Sequence, residues 1–161
     1  QGKQFDNIIK ILKEDKDSRR ASIMILNQEH LTSDTKDVPC TYSINFKIRN
    51  NELIMTVHMR SQDAIFGLGN DLPSFSIIHE MVYICLRDIY SELKMGDYCH
   101  TVDSFHIYEK HFKFLGLSES SEFVQVECPK ILNSQEVNFL QKFSNKNIPE
   151  QFKFTQWLNE L

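Results

Sequence analysis

The sequence predicts an α+β domain in which a mixed, mainly antiparallel sheet packs on one long buried helix. Two stretches of alternating apolar and polar residues, 40–48 and 52–59, predict a pair of strands. A nearly continuous apolar stretch, 74–94, predicts a helix that is buried on almost all sides. The length of 161 residues suits a single domain, and we treat 1–161 as one.

The composition is that of an ordinary globular protein, with 41% hydrophobic and 25% charged residues. A net charge of −4 argues against generic binding to nucleic acid or to an anionic membrane. No apolar run approaches the roughly 20 residues of a membrane span, and no signal peptide opens the chain. The four cysteines have no CxxC spacing, which argues against a zinc ribbon and favours a reducing, cytoplasmic location.

Three elements are predicted before the paired strands. Apolar residues recur at helical spacing over 5–15, which predicts an amphipathic helix. A polar turn follows, and 21–26 then predicts a short buried strand. Residues 27–38 are polar and predict a surface loop.

The pair Asn50-Asn51 separates the two alternating stretches and predicts a hairpin turn. Antiparallel pairing brings the start of the first strand beside the end of the second. We therefore expect Cys40 and Arg60 to be neighbours. A guanidinium beside a thiol favours the thiolate, which is the nucleophilic form of cysteine. The alternative is a half-buried cysteine with a structural role only.

The junction between the second strand and the apolar helix, residues 60–75, contains one arginine, two aspartates and two glycines. Gly67 and Gly69 allow backbone angles that side chains forbid, so a loop here can fold closely around a small ligand. The alternative is a simple connector in which Asp71 caps a helix that begins near Pro73.

Residues 96–108 predict a further strand, on which His106 and Tyr108 share a face and can both bond a sugar hydroxyl. The elements predicted downstream are a linker at 118–121, a short strand at 123–127 and helices at 134–143 and 152–161.

Two other groups of residues could bind a ligand. Arg19 and Arg20 lie in a turn and, with Arg60, could supply forked donors to a phosphate; the alternative is a solvated surface. Histidines at 100, 106 and 111 lack any spacing that is diagnostic of a metal site, and we predict no metal.

Several local motifs occur in the order and at the spacing of the thymidylate synthase family. They are Asp17-Ser18-Arg19-Arg20, Val38-Pro39-Cys40, Arg60-Ser61-x-Asp63, Phe66-Gly67-Leu68, and Gly96-Asp97-Tyr98 through His106-Ile107-Tyr108. The chain resembles this family over about residues 5–111. The resemblance implies a thymidylate synthase-like fold. It also implies a homodimeric enzyme that adds a one-carbon unit to C5 of a pyrimidine nucleotide, using 5,10-methylenetetrahydrofolate.

The resemblance also implies a role for each matching residue. Cys40 would add to C6 of the base and make C5 nucleophilic. Asp63 would be catalytic and would face the folate together with Gly67. The residues implied to contact the nucleotide are Arg60 and Ser61 at its 5′-phosphate, Arg19 and Arg20 at the phosphate bound by the other subunit, and His106 and Tyr108 at its 3′-hydroxyl.

Asp71 is the informative departure from the family pattern. Family members that act on dUMP carry an asparagine here, which can both donate to and accept from uracil. An ionised aspartate only accepts, so it would repel O4 of uracil but could accept from the N4 amine of cytosine. In this respect the chain resembles the deoxycytidylate hydroxymethylase branch, in which water rather than hydride ends the reaction. We therefore favour dCMP hydroxymethylation over dUMP methylation.

Other departures concern Thr41, where the family usually has histidine, and Gly69-Asn70, where it has a proline and an aromatic residue. The family's upstream third, with its catalytic glutamate and a tryptophan that packs on folate, does not occur in this sequence. We expect the chain to be the carboxyl-terminal part of a longer protein, with 118–161 as a divergent tail. Two alternatives remain: a divergent thymidylate synthase acting on dUMP, and a nucleotide-binding or dimerisation module without full activity.

Overall fold

The computed structural model describes residues 2–32, 34–115, 128–142 and 148–160. The helices are α1 (Gly2–Glu14), α2 (Gln28–Thr32), α3 (Phe66–Arg87), a 3₁₀ helix (Glu109–Phe114), α4 (Ser134–Gln141) and α5 (Lys153–Glu160). The strands are β1 (Ser22–Met24), β2 (Thr41–Arg49), β3 (Glu52–Met59), β4 (Gln62–Asp63), β5 (Lys94–Val102) and β6 (Phe105–His106).

Four strands form the main sheet, in the order β1-β2-β3-β5. Strands β1, β2 and β3 pair antiparallel, whereas β5 runs parallel to β3 after the chain has returned through α3. Strands β4 and β6 form a separate parallel pair. The prediction of an α+β domain with a mixed, mainly antiparallel sheet is confirmed.

The hairpin between β2 and β3 follows the prediction closely. Asn50 and Asn51 have φ angles of 52° and 60°, in the left-handed region that asparagine tolerates better than most residues. The turn sets the register, so that Thr41 at the start of β2 faces Met59 at the end of β3. The alternate apolar residues of both strands are buried, as the period of two requires.

Helices α1 and α3 cover one face of the sheet and close the main core. The core residues are Ile8, Ile9 and Leu12 of α1; Ile44, Phe46 and Ile48 of β2; Leu53, Met55 and Val57 of β3; and Phe75, Val82 and Leu86 of α3.

The carboxyl-terminal helices pack on the opposite side of α3, around Ile84, Val137 and Phe154. The buried carboxylate of Glu136 in α4 joins the two helices by accepting hydrogen bonds from Thr155 N and Oγ1 of α5 (3.0 and 2.9 Å). It also accepts one from Leu132 N (2.7 Å), just before α4. Because α3 lies between the sheet and this tail, it is apolar on nearly all sides, as predicted. Both terminal helices are confirmed, and the predicted elements at 118–121 and 123–127 lie outside the described residues.

The predicted bounds of the long helix are wrong at both ends. Helix α3 begins at Phe66 rather than Ser74 and ends at Arg87 rather than Lys94, and Pro73 lies inside it. The cause is Asp63, whose carboxylate accepts from the backbone N–H groups of Ile65, Phe66 and Gly67 and so caps the helix about two turns before the predicted start.

The aspartate that caps the helix in residues 60–75 is therefore Asp63 and not Asp71. Asp71 lies in the second turn of α3 and cannot be its N-cap. Gly67 and Gly69 lie in its first turn, and no glycine in the described residues has a positive φ. The two glycines are therefore helical and form no loop with unusual backbone angles, and the ligand expected beside them stays a prediction.

Three smaller differences concern the flanking segments. The surface loop predicted at 27–38 contains the five-residue helix α2. The strand predicted at 21–26 is limited to Ser22–Met24. The strand predicted at 96–108 is divided into β5 and β6, which belong to different sheets. Within the described ranges, no helix is both long and apolar enough to cross a membrane.

Candidate active site

Cys40 and Arg60 meet at the end of the hairpin, as the strand pairing predicts. The backbone N–H of Arg60 donates to the carbonyl of Cys40 at 2.9 Å. The cysteine is exposed. Burial, by contrast, raises the pKa of the Cys85 thiol to about 11, so that residue stays protonated and unreactive.

The side chain of Arg60 braces the segment that leads into Cys40. Its Nε donates to the carbonyl of Pro39 (3.1 Å) and its Nη2 to the carbonyl of Val38 (2.8 Å). Within the described chain, Nη1 has no hydrogen-bond partner. The guanidinium therefore orders the backbone before the thiol and keeps one nitrogen available for an anion.

The β4–β6 pair brings Ser61 beside His106. The Asp63–His106 register is held by a hydrogen bond from Ala64 N to the carbonyl of His106 at 2.8 Å. As a result, Oγ of Ser61 lies 3.5 Å from Nδ1 of His106, and the ring of His106 meets that of Tyr108 edge-on at 4.8 Å. Ser61, predicted to contact the phosphate, thus lies beside His106 and Tyr108, predicted to contact the sugar, and Tyr108 is 51% exposed.

Asp63 has two sets of neighbours. Burial raises the pKa of its carboxyl group, but the three backbone N–H donors of the α3 terminus and the nearby His111 outweigh this, and the pKa lies below its ordinary value. Nδ1 of His111 is 3.9 Å from Oδ1 of Asp63. That nitrogen is buried and has no hydrogen-bond partner in the described residues.

Aromatic rings surround His111. Phe66, Tyr108 and Phe114 lie with their ring centres 4.8, 5.8 and 6.1 Å from that of His111. Phe66 is 51% exposed and lies next to Gly67 in the first turn of α3. An exposed aromatic ring beside a carboxylate is suited to binding a flat, polar heterocycle.

Asp71 is held by residues that the sequence analysis did not assign to the site. Its Oδ2 accepts from Nε2 of Gln62 at 2.9 Å, and Oε1 of Gln62 is 3.0 Å from Nε2 of His100. Nδ1 of His100 is in turn 2.6 Å from the hydroxyl of Tyr98. We call these four side chains the Asp71 network. The signal in the sequence is Gln62 itself, a polar residue between two predicted site residues, Ser61 and Asp63.

Arg19 and Arg20 lie elsewhere on the molecule. Both are exposed in the turn before β1, and no hydrogen bond or ion pair in the described residues joins either to Cys40, Arg60 or Asp71. Arg19 instead borders a depression of about 230 Å³ on the sheet face away from the helices, together with Ser22, Asn45, Phe46, Lys47, Arg49, Thr56 and His58.

No cluster of three metal-ligating side chains occurs in the ranges that the structure describes. His100 and His106, two of the three histidines considered above, take part in hydrogen bonds with Gln62, Tyr98 and Ser61.

Comparison with known proteins adds three findings. The family described as thymidylate synthase matches residues 1–155, well beyond the last motif at Tyr108. A deoxyuridylate hydroxymethyltransferase from Bacillus phage SP01 is 34% identical over 108 residues, which are 65% of this chain and 27% of that protein. This chain therefore spans about a quarter of the length of that curated relative.

The third finding is structural. The solved structure of the thermostable thymidylate synthase A from Bacillus subtilis superposes with a TM-score of 0.63 at 22% identity, over 76% of this chain and 42% of that one. At this identity the likeness concerns the fold, and it confirms the predicted fold class.

Proposed function

Because the chain belongs to the thymidylate synthase family, we propose that it carries the nucleotide site of an enzyme that hydroxymethylates dCMP at C5. The observation that carries the choice of base is Asp71. One oxygen of its carboxylate accepts from Gln62, and the other has no hydrogen-bond partner in the described residues. A free carboxylate oxygen at the position of the base reader can accept from the N4 amine of cytosine and repels O4 of uracil.

Cys40 is the nucleophile in this proposal. Its thiolate adds to C6 of the base, which moves electron density to C5 and lets that carbon attack an electrophile. Arg60 supports the step by holding the backbone at Val38 and Pro39, so that the thiol is presented from an ordered strand end. C5 then loses its proton, water supplies the hydroxyl group of the product, and turnover ends when the thiolate leaves C6.

Arg60 and Ser61 bind the 5′-phosphate, and His106 and Tyr108 bind the 3′-hydroxyl. Support comes from the 3.5 Å distance between Ser61 Oγ and His106 Nδ1, because one bound nucleotide could then reach both side chains. The available Nη1 of Arg60 supplies the positive charge that a phosphate requires.

The described residues also fit 5,10-methylenetetrahydrofolate, which supplies the one-carbon unit when bound. Asp63 and Gly67 would hold it at the α3 terminus, and the exposed ring of Phe66 offers a surface on which a pterin can stack.

We propose a homodimer in which Arg19 and Arg20 complete the phosphate site of the partner subunit. Among the described residues, no helix covers the sheet face that carries Lys47 and Arg49 next to Arg19. Two such basic faces repel one another unless an anion lies between them, so a shared phosphate would couple nucleotide binding to assembly. The free thiols of all four cysteines suit the reducing cytoplasm for this reaction.

Complementation tests the shared site. A Cys40→Ser chain and an Arg20→Ala chain should each fail to exchange the C5 hydrogen of dCMP with solvent. Mixed in equal amounts, they should recover about a quarter of the wild-type rate, because half of the dimers are hybrid and each hybrid has one intact site. Absence of recovery, while labelled subunits demonstrably exchange, would contradict the shared site.

Uracil is the competing base, since the phage relative is by its name a deoxyuridylate hydroxymethyltransferase. Calorimetric titration of the chain with dCMP, CMP and dUMP separates the two candidates. We expect dCMP to bind at least about tenfold more tightly than dUMP. A preference for dUMP would favour a divergent thymidylate synthase, and binding of none of the three would leave only a dimerisation module.

A further inference from the structure

The direction of the Asp71 network is set at its carboxylate, because an ionised carboxylate only accepts hydrogen bonds. Gln62 must therefore turn its NH₂ group to Asp71 and its carbonyl oxygen to His100. That oxygen needs a donor, so Nε2 of His100 carries the proton and Nδ1 accepts from the hydroxyl of Tyr98.

The electrostatics of the network agree with this direction. Burial lowers the pKa of His100, against the opposing effect of the charge on Asp71, and so favours the neutral ring that accepts at Nδ1. Burial and the charge on Asp71 together raise the pKa of Tyr98 to about 12, so its hydroxyl remains a donor. Every hydrogen bond in the line therefore points toward Asp71.

The amide of Gln62 is also held closely by its surroundings. Gln62 is 2% exposed, and a Cβ atom built on Gly67 would lie only 2.7 Å from its Nε2. The lack of a side chain at 67 leaves the room in which this amide reaches Asp71. Gly67 thus has a role within the chain that does not depend on an unusual backbone angle.

We propose that Gln62 is the positioning residue of the base site: its amide occupies one carboxylate oxygen of Asp71 and so presents the other to the group on C4 of the pyrimidine. This inference rests on the proposed function, since it assumes that Asp71 reads the base. Gln62 itself contacts Asp71, His100 and, through Nε2 at 3.5 Å, the carbonyl of Asp63, and it is not required to contact the nucleotide.

The same arrangement explains how one substitution at position 71 can change the base. With aspartate, the oxygen left by Gln62 is an acceptor and suits the cytosine amine. With asparagine, the N–H of Gln62 would take the amide oxygen, and the NH₂ group left over would be a donor that suits O4 of uracil. Gln62 thus determines which end of residue 71 faces the nucleotide.

The test is the ratio of dCMP to dUMP affinity in positional variants, measured by titration without folate. Gln62→Met keeps the length of the side chain and removes its hydrogen bonds to Asp71, to His100 and to the carbonyl of Asp63. We expect the ratio to fall roughly tenfold through weaker dCMP binding, with dUMP binding unchanged. Tyr98→Phe removes the far end of the line and should lower the ratio less. His79→Gln is the matched control, because His79 is buried in α3 and bonds Leu53 outside the network.

Coupling between positions 62 and 71 provides the second measurement. In a chain that keeps Gln62, Asp71→Asn should raise the affinity for dUMP strongly. In a chain that also carries Gln62→Met, the same substitution should raise it only weakly, because no donor then fixes whether the oxygen or the NH₂ group of the new amide faces the base. Additive effects of the two substitutions would overturn the inference.

The outcomes also separate this inference from the proposed function. A wild-type chain without preference for dCMP contradicts the proposed function itself. A wild-type preference that survives Gln62→Met, or an equal loss of both nucleotides, contradicts only the positioning role. Where Gln62→Met does not fold, Gly67→Ala serves instead, since a methyl group there displaces the flexible end of Gln62 and should lower the same ratio.

Discussion

Cys40→Ser should abolish exchange of the C5 hydrogen of dCMP with deuterated solvent while leaving nucleotide binding nearly unchanged. In the exchange reaction the thiolate bonds to C6, C5 takes a deuteron from solvent and loses its own proton, and the thiolate then leaves. A serine hydroxyl at neutral pH supplies almost none of the attacking anion, so we expect a loss on the order of 10³-fold or more. The rate is measured by mass spectrometry of the nucleotide and the affinity by titration.

Cys128→Ser is the matched control, because Cys128 is also an exposed cysteine but belongs to the tail. It should exchange at the wild-type rate. Substantial exchange by the Cys40→Ser chain would exclude a covalent step at this residue, whereas loss of dCMP binding would mean that the substitution had damaged the site rather than the chemistry.

Asp71→Asn should transfer the preference of the site from dCMP to dUMP. The variant gains a donor for O4 of uracil and loses the charge that repels this oxygen. A polar partner gained or lost in a buried site is worth on the order of 1–3 kcal/mol, so the ratio of the two affinities should move by at least about tenfold. Titration of the wild type and the variant with both nucleotides measures this ratio directly.

Asp97→Asn changes the same side chain at an exposed position of β5 and should leave the ratio as it is. Thermal unfolding of the Asp71→Asn variant shows whether the substitution also changes the stability of the fold. Because Asp71 lies inside α3 rather than at its N-cap, an altered ratio cannot be attributed to a lost helix cap. A ratio that does not move would remove Asp71 as the base reader and favour a divergent thymidylate synthase.

The error at the start of α3 shows where local sequence patterns mislead. A proline in the first turn is common, and Pro73 therefore suggested a helix that begins near it. The structure instead begins the helix at Phe66, because the carboxylate of Asp63 satisfies three N–H groups there. Once that cap has formed, the exposed Pro73 is accommodated within the helix, and the two glycines of the first turn need no unusual backbone angle.

The sequence by itself determined the elements whose evidence is local. Alternation over β2 and β3, with Asn50-Asn51 between them, was enough to predict that Cys40 and Arg60 meet, and the motifs were enough to identify the family. Only the tertiary structure decided which side chains hold Asp71. Gln62 and His100 are 38 residues apart, on β4 and on β5, and belong to different sheets. Periodicity reports which face of its own element a residue occupies, whereas a hydrogen bond between elements depends on how β5 passes β4, and no local pattern records that relation.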